Sequence, residues 1–144
     1  MNKKILYSLL IIISLFIIIG CNKNIKNHNE DKEIKIMKVI INDKEYTMKL
    51  EDNKTVKSFI KLLPKEFNMQ ELNGNEKYVY LDKDLPINSY NPKKINTGDV
   101  MLFGNNCLVL FYKSFNTSYS YTKIGHIDNL DNIDNSDINI KFYK

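Results

Sequence analysis

The sequence has no arginine, and only two cysteines, Cys21 and Cys107. All 21 basic side chains are lysine, and asparagine is abundant alongside them. That pairing reads as the coding bias of AT-rich DNA, so runs of Lys and Asn are discounted as functional signals. Removing the two lysines of residues 1–20 leaves 19 Lys against 17 acidic residues, an excess of +2. This balance is too even for a phosphate-backbone partner, so no nucleic acid is expected. There is no His/Cys zinc cluster, no phosphate-cradling glycine loop and no Ser-His-Asp signature, so no metal, no cofactor and no catalytic residue is assigned. The longest apolar run is short for a spanning helix, which needs ~20 residues to cross ~30 Å of hydrocarbon. What remains, 144 residues at 43% hydrophobic content, fits one globular domain plus a targeting segment.

The targeting segment comes first. Asn2-Lys3-Lys4 is followed by the apolar run Ile5 to Ile19, broken only by Tyr7, Ser8 and Ser14, which is a signal-peptide layout. Its end, Ile18-Ile19-Gly20-Cys21, resembles the lipobox of bacterial lipoproteins: an aliphatic residue, a small residue, then the lipidated cysteine. The resemblance implies that the Cys21 thiol takes a diacylglyceryl group and that cleavage falls after residue 20. Two acyl chains anchor stably where one does not. The expected organisation is a signal peptide over 1–20, a lipidated cysteine and polar tether over 21–33, and a folded domain over 34–144. The expected location is the extracytoplasmic face of a bacterial membrane. His28 falls in the tether and reads as a solvated linker residue.

From Ile34 the pattern turns to short β-rich runs. Ile34-Lys35-Ile36 and Val39–Ile41, the turn-like Asn42-Asp43-Lys44, and alternating Tyr46, Met48 and Leu50 form an opening hairpin. Asp52 or Asn53 caps a helix with Val56, Phe59, Ile60 and Leu63 on one face, closed by Pro64. Asn73-Gly74 marks a turn before a strand over Tyr78–Leu81, and Asp82 to Asn96 is a long loop. Val100–Phe103 and Cys107–Tyr112 form a hairpin whose near-continuous apolar character points to burial on both faces. Thr122–Ile127 and Ile138–Phe142 complete the set. The fold class expected is mainly β, a small closed or nearly closed barrel with one short helix.

Several segments taken together resemble the small cyclophilin-like domain of bacterial proteins. They are Leu50-Glu51-Asp52-Asn53 with Leu62-Leu63-Pro64, Asn73 to Tyr78, Leu85-Pro86, Gly98-Asp99 with Leu108–Lys113, and Ser118 to Thr122. The resemblance covers Ile34 to Phe142 and implies a cyclophilin-type barrel without an agreed activity. Cyclophilin isomerases use an arginine guanidinium at the substrate carbonyl and prolyl nitrogen. Lysine lacks that planar fork of donors, so prolyl isomerisation is not expected.

Three further features carry candidate chemistry. Cys107 with His126 is the one available nucleophile and base, although Cys107-Leu108-Val109-Leu110-Phe111 is the setting of a buried hydrophobe. Asp128, Asp131, Asp134 and Asp137 recur every three residues, but without the glycine and closing glutamate of a calcium loop they read as a solvated segment. The aromatic, hydroxyl-rich loop with Thr117, Ser118 and Tyr119, facing Ser89, Tyr90 and Asn91 across a barrel mouth, is the candidate ligand surface. The alternative is that Tyr119 and Tyr121 begin a strand and pack on one face. The function expected is a surface-anchored, non-enzymatic binding module for a peptide or small ligand. Its rival is an enzyme of unknown reaction using the same groove.

Overall fold

The computed structural model of the protein describes residues 35–144. The expected signal peptide, Cys21, His28 and the tether lie outside the described residues.

Strand β1 (Ile36–Ile41) turns through Asn42 and Asp43 into β2 (Lys44–Leu50). Both turn residues have positive φ, 46° and 70°. This is the type I′ pattern whose twist matches a hairpin and which Asn and Asp tolerate. The apolar runs on either side of Met37 are one strand, with Met37, Val39 and Ile41 facing inward. Helix α1 (Lys54–Ile60) is capped by Asn53, not Asp52: the Asn53 Oδ1 accepts from the Val56 N–H at 2.9 Å. The helix ends at Ile60, before Leu63, because the residue preceding Pro64 is driven out of the helical region. Leu63 is nevertheless buried with Val56 and Phe59.

Strand β3 (Lys65–Leu72) was not expected from the sequence. Only Phe67 and Met69 are buried among its polar neighbours, so its apolar content is too sparse to read as a strand. The remaining elements are β4 (Glu76–Tyr80), β5 (Lys94–Ile95), β6 (Asp99–Phe103), β7 (Cys107–Phe111), β8 (Phe115–Asn116), β9 (Thr122–Ile127) and β10 (Ile138–Tyr143). Eight strands close an antiparallel barrel in the order β1-β10-β3-β4-β7-β6-β9-β2, and β5 with β8 forms a separate ribbon. Closure pairs every barrel strand on both sides and leaves no edge. One end, the entry end, gathers the starts of β1, β3, β7 and β9 and the finishes of β2, β4, β6 and β10.

The interior is filled by alternate residues of every barrel strand, joined by Val56 and Phe59 of α1. Phe59 meets Phe142 edge-on at 5.3 Å. β6 and β7 are apolar on both faces for a structural reason. Val100, Leu102, Leu108 and Leu110 point into the barrel, while Met101, Cys107, Val109 and Phe111 form a second cluster with Ile95 and Tyr121 on the outside. The β5–β8 ribbon and its flanking loops are what cover that outer face. At Gly98, φ is +93° and a Cβ would stand 2.2 Å from the Ile127 carbonyl oxygen. Only glycine fits between β9 and the start of β6.

Candidate functional site

The two candidate loops meet. Tyr90 and Tyr121 exchange backbone hydrogen bonds at 3.0 and 2.9 Å. The Asn91 side-chain amide donates to the Ser118 carbonyl at 2.9 Å, and the Thr117 N–H donates to the Lys93 carbonyl at 2.9 Å. Each loop is also shaped from within. The Lys93 N–H donates to the Asn91 Oδ1 at 2.7 Å, and the Tyr119 N–H to the Thr117 Oγ1 at 3.1 Å. Short Asn and Thr side chains substitute for backbone acceptors in this way wherever a chain must turn sharply. Ser89, Tyr90, Asn91, Ser118 and Tyr119 are exposed and Thr117 is half-buried.

Tyr119 and Tyr121 differ in burial. Tyr121 is 6% exposed in the outer cluster, whereas Tyr119 is 63% exposed. Tyr119 stands edge-on to Phe103 at 6.1 Å, and Phe103 in turn leans on Tyr121 at 5.6 Å. The surface lies on the outside of the β6–β7 hairpin where it reaches the entry end, beside the barrel mouth rather than across it. The reason is that both barrel ends are occupied, one by α1 and the other by a buried lysine. Phe103 and Tyr80 belong to the same surface and were missed in the sequence. They flank Cys107 in neighbouring strands, where Phe103 pairs with Cys107 and Cys107 with Tyr80. The available signal was strand parity, which sets Phe103 on the outward side with Met101.

Cys107 and His126 are not brought together. Cys107 pairs with Phe103 at one end of β6 and His126 with Asp99 at the other, and four residues of strand separate them by ~13 Å. Burial, and secondarily Glu76, pushes the Cys107 thiol up from its ordinary value, which disfavours the thiolate. His126 belongs to a charged chain on the barrel's outer wall. Its Nδ1 lies 2.9 Å from the Asp99 carboxylate, itself 2% exposed, and its Nε2 lies 3.7 Å from Asp128. Lys123 stands 3.6 Å from both Asp99 and Glu51, and Lys49 stands 2.6 Å from Asp128. Both ring nitrogens of His126 therefore face carboxylates.

The four aspartates of 128–137 do not converge either. Asp128 pairs with Lys49, Asp131 with Lys44 and the Tyr46 hydroxyl, Asp134 with Ser136, and Asp137 with the Glu71 N–H. Hydrogen bonds from Lys44 and Tyr46 hold the Asp131 carboxyl below its ordinary range. Among the described residues no three His, Cys, Asp or Glu side chains are grouped to hold a metal. A shallow depression of about 510 Å3 lined by Lys44, Glu45, Tyr46, Thr47, Asp128 and Asn129 contains none of the expected ligand-binding residues.

Lys77 was also missed. It is fully buried, and its ammonium donates to Glu71 and, at 2.7 Å each, to the carbonyls of Asp134 and Ser136. The Tyr112 ring lies 4.5 Å below it, and the Tyr112 hydroxyl donates to Glu71 at 2.9 Å. This is what holds the aspartate-rich segment across the end of the barrel opposite α1.

In comparison with known proteins, the profile of the Cyclophilin-like family matches residues 39–143. No curated protein and no solved structure matches the chain.

Proposed function

This chain belongs to the cyclophilin-like family, and from that premise we propose a non-enzymatic binding module held on the extracytoplasmic face of a bacterial membrane by diacylglyceryl on Cys21. Its ligand is a peptide or small molecule, taken on the surface of Ser89, Tyr90, Asn91, Thr117, Ser118 and Tyr119. The observation that carries this reading is the backbone pairing of Tyr90 with Tyr121. It holds two polar, aromatic loops side by side with Tyr119 turned to solvent. Such rings present apolar area with a polar tip at low entropic cost, and the neighbouring hydroxyl and amide groups supply adaptable hydrogen bonds.

The enzyme alternative would draw on Asp99 and His126, because a buried carboxylate does orient an imidazole. Catalysis needs a nucleophile or a reacting atom within reach of the other ring nitrogen, and that nitrogen faces Asp128. The lone thiol is buried elsewhere, which weighs against the enzyme.

A thermal-shift screen of the mature protein tests the surface. A ligand that raises the midpoint of the wild type should leave Tyr119→Ala unmoved. A shift that survives both Tyr119→Ala and Tyr90→Ala would remove this surface from the reading. Intact mass of the membrane-extracted protein tests the anchor, since retention of residues 1–20 would overturn it.

A further inference from the structure

We propose that the entry end of the barrel is a bilayer-contact surface, seated on the outer leaflet of the membrane that carries Cys21. The proposal rests on the anchoring part of the reading above and assigns the domain an orientation and a lipid partner; it gives Tyr90 and Tyr119 to lipid, in place of the soluble ligand proposed for them above.

Large apolar side chains are exposed at Ile36, Tyr80, Ile87, Tyr90, Phe103 and Tyr119, each between 45% and 65%, and at Leu72. Six of these seven sit at the entry end. Ile36 opens β1, while Tyr80 and Phe103 finish β4 and β6. Tyr90 and Tyr119 flank Tyr121, the residue before β9. Ile87 lies between Leu85, whose N–H donates to Asn105 in the β6–β7 turn, and Asn88, whose N–H donates to the Thr122 hydroxyl. Leu72 alone closes β3 at the far end.

The chain enters the barrel at the same end. The carbonyl of Lys35 accepts from the Leu50 N–H at 2.9 Å, where β1 begins beside the finish of β2. Between Cys21 and Lys35 lie thirteen residues, 22–34, which at full extension reach at most ~45 Å. Lipid on Cys21 would keep this end within that reach of the leaflet and raise its effective concentration there, so a surface too weak to bind lipid alone becomes occupied. The chemistry suits the headgroup boundary, where amphipathic aromatic rings concentrate. Helix α1, with Lys54, Lys57 and Lys61 exposed, also lies at this end, and Asp52, Asp82 and Asp84 stand among its lysines, so the apolar contact is made beside the helix and the test uses zwitterionic lipid. The far end, which carries Asp131 and Asp134, is turned to water.

The test couples the chain from Cys21 onward, containing the whole described barrel, through its Cys21 thiol to maleimide-bearing phospholipid in phosphatidylcholine vesicles. Coupling makes the result independent of whether cells lipidate the cysteine. Cys107 is buried, and the chain has no tryptophan, so Ile87→Trp and Leu72→Trp each give a single reporter. With brominated acyl chains, emission from the Ile87→Trp protein should fall by half or more, while emission from the Leu72→Trp protein is unchanged. Adding Tyr80→Ser and Phe103→Ser should relieve the quenching at 87, with the circular dichroism unaltered. Equal quenching at both positions, or none at 87, would overturn the proposal. Quenching at 87 alone, with native protein whose mass lacks the diacylglyceryl group, would uphold the surface and overturn the anchor. Absent quenching, with a lipidated native Cys21, would do the reverse.

Discussion

Replacing Lys77 with methionine isolates the polar plug at the far end of the barrel. An ammonium has three protons, and Glu71, the Asp134 carbonyl and the Ser136 carbonyl take all of them. Methionine keeps most of the stem's volume but no donor. Glu71 then retains only the Tyr112 hydroxyl and the Gly74 N–H, at 2.9 and 2.6 Å. Removing one partner of a buried pair costs ~3–5 kcal/mol. The Glu71 side chain is 21% exposed and can recruit water, so the lower limit, ~3 kcal/mol, applies. At ~4–8 °C per kcal/mol for a domain of this size, the melting temperature should drop by ~15 °C. The urea midpoint should fall by roughly 1.5 M, taking a slope of ~2 kcal/mol/M. Adding Glu71→Gln should recover part of the loss, because the uncompensated carboxylate is gone. A loss under ~1 kcal/mol, or additive losses in the double variant, would refute the plug. The same pair sets an acid limit. Burial pushes the Glu71 carboxyl up, but hydrogen bonds from Lys77, Tyr112 and the Gly74 N–H outweigh it and hold it below the ordinary carboxylate range. A depressed folded-state value gives stability that is present above the unfolded-state pKa and ebbs as pH falls through the folded one. Lys77→Met should therefore flatten the acid side of the stability profile.

Truncating Tyr121 to alanine should cost ~3–5 kcal/mol in urea unfolding, as for a buried aromatic, whereas Tyr119→Ala should cost under ~1 kcal/mol; equal losses would contradict their opposite burial. Tyr112, pushed up to about 12 by burial and then by Glu71, should ionise last in an ultraviolet tyrosinate titration. Because its folded value lies above the unfolded one, its contribution to stability should be intact below about pH 10 and be lost as pH rises toward the folded value. The purified protein should not accelerate cis/trans exchange of a prolyl peptide in an NMR assay, since no arginine is present to polarise the amide; turnover that persists through stringent purification would contradict this.

The opening hairpin, the helix and the doubly apolar β6–β7 pair were legible because each writes its environment into neighbouring residues. Alternation of Tyr46, Met48 and Leu50 reports one inward face, Asn42-Asp43 reports a turn, and the unbroken run from Cys107 reports two covered faces. Strand β3 escaped because Phe67 and Met69 are isolated among polar residues, and its place is set by β10 and β4 on either side. Of the candidate site, the residue types were visible but their setting was not. Tyr119 and Tyr121 look equivalent in sequence and are separated only by what stands above each.

Local pattern thus determined most of the barrel strands, the helix and the family of the domain, because turn geometry, helical spacing and side-chain alternation depend on residues a few positions apart. Closure of the barrel decided the rest. It placed Cys107 and His126 at opposite ends of one strand's length, brought Asn91 to Ser118, and turned Lys77 inward beneath the 131–136 segment. Those relations follow from strand order and register between segments far apart in the chain, and a shift of one residue in register would reverse every face. A lysine in a half-polar strand carries no local mark of being inside. Only the paired strands, the Glu71 carboxylate and the carbonyls that meet it make burial of its charge tolerable.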